Sequence, residues 1–160
     1  MKGAAAMKRL FASCIILLFL STTLSGCAAA DRIVPEVDYA NATWVDIDAA
    51  GLEAKLAAEA DFILVVSSET CSSCAEFKPV LDAAVATYGI VLYKIEAGSA
   101  FPGTNDVFDY EYTPTVAVFR DGVAIGVVDP DRLSHPFESL ERFLDWLDRY
   151  VVLPPVVLPQ

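Results

Sequence analysis

A chain of 160 residues is the length of one ordinary domain, and 55% hydrophobic residues supply a substantial core, which excludes a disordered protein. The formal net charge is −11, with 11 Lys and Arg against 22 Asp and Glu. Such a surface suits neither nucleic acid nor anionic lipid headgroups, and because the carboxylates are spread along the chain, solubility is the simplest account of them.

The first thirty or so residues stand apart from the rest. Lys2, Lys8 and Arg9 precede an apolar run from Leu10 to about Leu20, and small and hydroxyl residues follow. That order is a secretory signal peptide. It ends in Leu24-Ser25-Gly26-Cys27, which resembles the lipobox of bacterial lipoproteins at all four positions. The resemblance implies that residues 1–26 are removed and that Cys27 carries lipid, with residues 27–42 as a spacer. Acyl chains contribute ~0.8 kcal/mol per buried methylene, so two or more anchor stably. Two other readings stay open. Ala28-Ala29-Ala30 is also an ordinary cleavage site, and the 21 uncharged residues Leu10–Ala30 approach the length of a spanning helix, although Ser21, Thr22, Thr23, Ser25 and Gly26 weaken its second half. The expectation is an extracytoplasmic protein, lipid-anchored to a bacterial membrane. Cys14 leaves with the signal peptide, and Cys71 and Cys74 remain as thiols in a compartment where disulfides persist. From Cys27 onward, 8 Lys and Arg face 22 Asp and Glu, a net charge of −14.

The expected domain spans residues 43–151. "TWVDI" (43–47) has strand character, and Asp48 is placed to cap a helix running to about Ala60, with Leu52 and Leu56 on one face. "FILVVS" (62–67) is continuously apolar and β-branched, as a central strand buried on both faces must be. From Cys71 to Tyr88, Cys74, Phe77, Leu81, Ala84 and Tyr88 recur at helical spacing, and Gly89 ends the helix. "IVLYKIE" (90–96) is a further strand. "AGSAFPG" is a loop, and residues 104–110 are expected to hold a short helix capped by Thr104. "TVAVF" (115–119) and "VAIGVV" (123–128) flank Asp121-Gly122, the favoured two-residue hairpin turn. Pro136 is expected to open a last helix to about Val151, with Phe137, Leu140, Leu144, Leu147 and Val151 in one stripe. Residues 152–160, rich in proline, form an extended tail. Alternating elements that end in a hairpin predict an α/β fold, a central mixed sheet with helices on both faces.

Cys71 and Cys74 follow the buried strand and open a helix, with Thr70 as the expected cap. A thiol at a helix start faces unsatisfied amides and the positive end of the macrodipole, both of which favour thiolate. Two intervening residues bring the second sulfur back by one turn. In a redox pair Cys71, the outer member, attacks a substrate disulfide, and Cys74 resolves the mixed disulfide. A zinc site wants about four ligands. Cys71 and Cys74 would have to find two more, and His135 is the one histidine in the chain. Two inert core thiols are the remaining alternative.

The wider pattern resembles thioredoxins. Pro79 lies five residues after Cys74 inside the helix, the spacing at which thioredoxins carry a proline. "FPGTNDVFDYEYTPT" (101–115) is similar to the thioredoxin segment that ends in a cis-proline, forty residues separate Cys74 from Pro114, and "FRDG" (119–122) looks like the family's hairpin turn. The likeness covers about Trp44 to Tyr150. It implies a thioredoxin-like fold, a cis Thr113–Pro114 peptide facing the cysteines, and a backbone there that pairs with an extended substrate strand. It also implies protein disulfides as substrates, an electron-donor partner and no cofactor.

Three departures stand out. Thr70 replaces the usual tryptophan, Ser72-Ser73 replace Gly-Pro, and the family's buried aspartate falls near Val65, which carries no proton. Lys94 is similar to a lysine near that aspartate, and Glu69 and Glu76 are candidates to replace it. With no cation between the cysteines, the expected Cys71 pKa is nearer the ~7 of thioredoxin than the ~3.5 of DsbA. That favours a reductase or exchange catalyst. A redox-inactive binding or accessory module with a structural disulfide is the alternative.

Overall fold

The computed structural model describes residues 32–41, 44–98, 101–103, 106–131, 133 and 135–156. The expected signal peptide and Cys27, the expected site of lipid attachment, lie outside these residues, as does Thr104. Among the described residues, no helix is long and apolar enough to cross a membrane.

The centre is β2 (Phe62–Ser67), whose first five residues are all buried. Alternation sends Ile63 and Val65 into one core and Leu64 and Val66 into another, so both faces of the strand are apolar. β2 runs parallel to β3 (Leu92–Glu96) on one side and antiparallel to β4 (Thr115–Arg120) on the other. β1 (Trp44–Asp46) adds to β3 in parallel, and β5 (Val123–Val128) pairs antiparallel with β4, giving the order β1-β3-β2-β4-β5. Asp121 and Gly122 turn the β4–β5 hairpin with φ of 51° and 74°, the left-handed pair that a tight hairpin needs.

Helices cover both faces. α1 (Ala49–Ala57) starts where the Asp48 carboxylate accepts the Gly51 amide at 2.8 Å. It stops short of Ala60 because Glu59 turns left-handed (φ 50°). Leu52 of α1 enters the core that holds Phe62 and Phe119. α2 (Ser72–Tyr88) passes through Pro79 and ends at Gly89, left-handed at φ 63°. A Cβ there would lie 2.4 Å from the Tyr39 ring, so glycine also lets the N-terminal segment pass. Phe77 of α2 meets Phe143 of α3 (Leu140–Leu147) edge to face, ring centroids 5.5 Å apart.

Three expectations are corrected. Residues 106–110 are not helical. Phe108 and Tyr110 are both buried in the core that holds Phe101, and residues two apart cannot share a helix face. An open loop seats them instead, with the Tyr110 amide on the Gly103 carbonyl at 2.8 Å and the Tyr110 hydroxyl on that of Phe101 at 2.6 Å. The last helix begins at Leu140 rather than Pro136, because extended Ser139 accepts the Arg142 amide and caps it; His135–Phe137 form one separate 3₁₀ turn. Phe143 and Trp146, outside the expected stripe, join Leu147 in filling the core, while Leu140 and Leu144 are half-buried. Finally, the segment expected as spacer is docked over residues 32–41. Ile33 is 1% exposed and bridges Val151, its amide on the Tyr150 carbonyl at 2.7 Å and its carbonyl receiving the Val152 amide at 2.8 Å. The Val91 amide donates to Glu36 O and the Asp38 amide to Gly89 O.

Ile33→Ala should therefore cost about 2–5 kcal/mol in urea unfolding, as buried truncations do. Val34→Ala, at a 73% exposed position, should stay within about 0.5 kcal/mol. Equal, small effects would mean that residues 32–41 contribute nothing to the folded unit.

Candidate active site

β2 delivers the chain to the site. After Ser67, the Ser68 carbonyl accepts the Cys71 amide at 3.2 Å, and the Glu69 amide is held by the Glu96 carboxylate at 3.0 Å. This turn aims the chain into α2. The cap is not Thr70 but Cys71 itself, extended at φ −87° and ψ 113°, whose Sγ accepts the Cys74 amide at 3.1 Å. The thiol thus fills the place that a Ser or Asp oxygen fills at other helix starts.

Thr113 and Pro114 meet it from the opposite side. Their peptide is cis, Pro114 is buried, and the Cys71 S–H donates to the Thr113 carbonyl oxygen at 3.3 Å. The structure therefore brings Cys71, Cys74, Thr113 and Pro114 together. Cys71 is half-buried and Cys74 is 8% exposed, and both are free thiols.

The two sulfurs are chemically unequal. Burial pushes Cys71 up, but hydrogen bonds with the Cys74 and Thr113 side chains and with the Cys74 and Ser73 amides outweigh it, leaving Cys71 below the ordinary thiol value. Burial pushes Cys74 up, and its hydrogen bond with Cys71 adds to the rise. An outer sulfur that ionises more easily than the inner one is the arrangement for sequential attack and resolution.

Beside the pair lies a cleft of about 470 Å³, lined among others by Trp44, Asp46, Val65, Cys74, Lys94 and Pro114. Lys94 stands in register with Val65 on one side and Asp46 on the other, and its ammonium meets the Asp46 carboxylate at 3.0 Å. The Trp44 indole donates to Asp82 at 2.9 Å, tying edge strand β1 to α2. Glu69 lines the cleft; Glu76 is exposed on α2 and is not among its lining residues. Asp46 is the site residue that sequence reasoning missed, because only the pairing of β1 with β3 places it there. Among the described residues, no group of three His, Cys, Asp or Glu side chains is placed to hold a metal ion.

Thioredoxins of known structure share this architecture. Thioredoxin f from spinach chloroplast (long form) superposes with a TM-score of 0.53 at 12% identity, over 68% of this chain and 86% of its own. A mutant thioredoxin of Halobacterium salinarum gives 0.51 at 16%, over 81% and 100%, and Schistosoma mansoni thioredoxin 0.51 at 16%, over 69% and 97%. The fold is thioredoxin-like. No family model and no curated protein sequence matches the chain. At such identities the likeness concerns the backbone. The chemistry of the site rests on its own side chains.

At neutral pH, iodoacetamide should modify Cys71 ahead of Cys74 in the reduced protein, as read on the separated peptides by mass spectrometry. Because Cys71 is shifted down and Cys74 up, the Cys71 rate should level off with rising pH first. Equal rates, or Cys74 reacting first, would contradict the asymmetry.

Proposed function

We propose that this protein is a thiol-disulfide oxidoreductase that reduces or exchanges disulfides in protein substrates, held outside the plasma membrane by lipid on Cys27. The observation that supports it best is the unequal thiol pair at the mouth of α2, with the Thr113 carbonyl 3.3 Å from the outer sulfur.

The Cys71 thiolate attacks one sulfur of a substrate disulfide; a Cys71–substrate bond forms, and the other substrate sulfur leaves as thiolate and takes a proton. Cys74, losing its own proton, then attacks the Cys71 sulfur, closing the internal disulfide and releasing the second substrate thiol. Counted from the dithiol, whose Cys71 proton leaves to solvent before the attack, the protein loses two electrons and two protons and the substrate gains them. A dithiol electron donor restores the reduced pair by the reverse exchange. The backbone ahead of Pro114 lies beside the attacking sulfur, where an extended substrate strand can pair with it. The anchor is supported by Leu24-Ser25-Gly26-Cys27 behind a basic and then apolar leader.

The full chain should reduce a model protein disulfide in the presence of a dithiol, and Cys71→Ser should abolish this. Cys74→Ser should accumulate mixed disulfides on Cys71 that a reductant releases. A reduction potential below about −300 mV with no trapped adduct would instead indicate a structural disulfide.

Cys27→Ser should lose incorporated radiolabelled fatty acid and move from the membrane to the soluble fraction. Retained label would remove the anchor while leaving the redox reading intact.

A further inference from the structure

The chain enters the folded domain on a short lead. Ile33 is buried and bridges Val151, and Val37 bridges Ile90. The Arg32 guanidinium is already tied to the Asp148 carboxylate at 2.8 Å. The segment therefore belongs to the domain from Arg32 onward. Between Cys27 and Arg32 there are five links of chain. Even a fully extended chain of that length reaches only about 18 Å, less than the ~30 Å diameter of a small domain.

The pairing that buries Ile33 and Val151 turns their neighbours outwards. The Ile33 amide donates to the Tyr150 carbonyl and its carbonyl accepts the Val152 amide, so Val34 and Val152 follow in register and project together to the outer face. Both are exposed. Among the described residues nine large hydrophobic side chains are exposed, and five of them, Val34, Val37, Tyr39, Val152 and Val156, lie on this segment and on the C-terminal one that it pairs with. Apolar exposure gathered in this way marks a surface that meets another molecule or a membrane. The face centred on Val34 and Val152 is at the far end of the sheet from the thiols. Val37 bridges Ile90, which precedes the first residue of β3. A Cβ on Gly126 would lie 2.8 Å from the Tyr150 ring, and Gly126 is in register with Val118 and through it with Ile63, near the start of β2. The cysteines follow the other end of β2, a strand length of about 20 Å away at ~3.3 Å per residue.

We propose that this apolar face rests on the bilayer that holds the lipid of Cys27, with the thiol pair turned away from it. The docking depends on the anchor of the proposed function and not on its redox chemistry. Three observations single out lipid as the occupant. The lead from Cys27 is too short to hold the domain clear of the surface. The exposed apolar side chains gather where the chain departs for that anchor. From Cys27 onward 8 Lys and Arg face 22 Asp and Glu, a net charge of −14, so anionic headgroups repel the body of the domain and leave the apolar patch to make the contact. A site on the outer pole meets disulfides in soluble proteins or in segments that project from the membrane, and not those at the level of the headgroups.

The test uses the full chain, lipidated in a bacterial host and placed in phosphatidylcholine nanodiscs whose acyl chains are brominated and quench nearby tryptophan. Trp44 and Trp146 give the same background in every sample. The emission added by Val34→Trp should be quenched roughly twofold relative to unbrominated discs, because interfacial apolar side chains reach ~5–10 Å into the headgroup and acyl boundary. Adding Val152→Asp should remove that quenching. The emission added by Tyr112→Trp, beside Thr113, should be unchanged. Cys71 should react with a bulky polyethylene glycol maleimide as fast in the discs as in soluble Cys27→Ser protein. A lipidated chain in which Val34→Trp is not quenched, or Tyr112→Trp is quenched as strongly, would overturn the docking and leave the anchor standing. A chain that carries no fatty acid would overturn both. A Cys27→Ser protein that sediments as a dimer, and that Val34→Asp returns to monomer, would assign the face to a second copy and overturn the docking on lipid. None of these results bears on the redox reading.

Discussion

The burial of β2 on both faces governs the rest of the structure. Phe62 to Val66 are all within the two cores, so the strand can carry nothing but hydrocarbon until it ends. Its C-terminal end is the first point at which this part of the chain meets water, and the cysteines stand there. The same constraint explains Val65. A carboxylate at that position would be buried beneath α2, and burying an unpaired charge is costly enough that such a group neutralises instead. The polar groups of the cleft stand further out, on β3 and the edge strand β1, where Lys94 and Asp46 keep contact with solvent.

One helical turn then creates the inequality between the sulfurs. Cys71 is outside the first turn and receives its amides; Cys74 is inside it and faces the core. The contact with the Thr113 carbonyl belongs to the thiol form, because only S–H can donate to it. Ionisation exchanges that bond for stronger ones from the helix amides, since hydrogen bonds to a charged acceptor are roughly twice as strong as neutral ones. Cys71 is thus placed to act as a thiol towards the loop and as a thiolate towards the helix, without moving its backbone.

Much of this was legible in the sequence. The run Phe62–Ser67, the cap Asp48, the stop at Gly89 and the turn Asp121-Gly122 are local signals, and local physics decides them. The strand-to-helix junction at Cys71 was legible for the same reason. The cap was misplaced by one residue because a thiol is a weak acceptor in general, and only the geometry of this turn makes it the acceptor here. Residues 106–110 looked helical because nothing local shows that Phe108 and Tyr110 must enter one core. The register of Asp46 with Lys94, and the docking of Ile33 against Val151, join segments far apart in sequence, and no period within either segment encodes them.

The direction of exchange follows from which state the protein's charges prefer. A disulfide carries no charge, so every group that stabilises a thiolate favours the reduced form and makes the couple more oxidising. At Cys71 the favourable terms are hydrogen bonds with the Cys74 and Thr113 side chains and with the Cys74 and Ser73 amides, while Ser72 and Ser73 bring no cation. At Cys74, burial and the hydrogen bond with Cys71 oppose ionisation. No cation lies between the cysteines to support Cys71, and Cys74 resists ionisation, so the inner thiol adds no charge-based stability to the reduced pair. On the oxidoreductase reading such a pair gives up electrons readily, which matches a reductase or an exchange catalyst better than a strong oxidant.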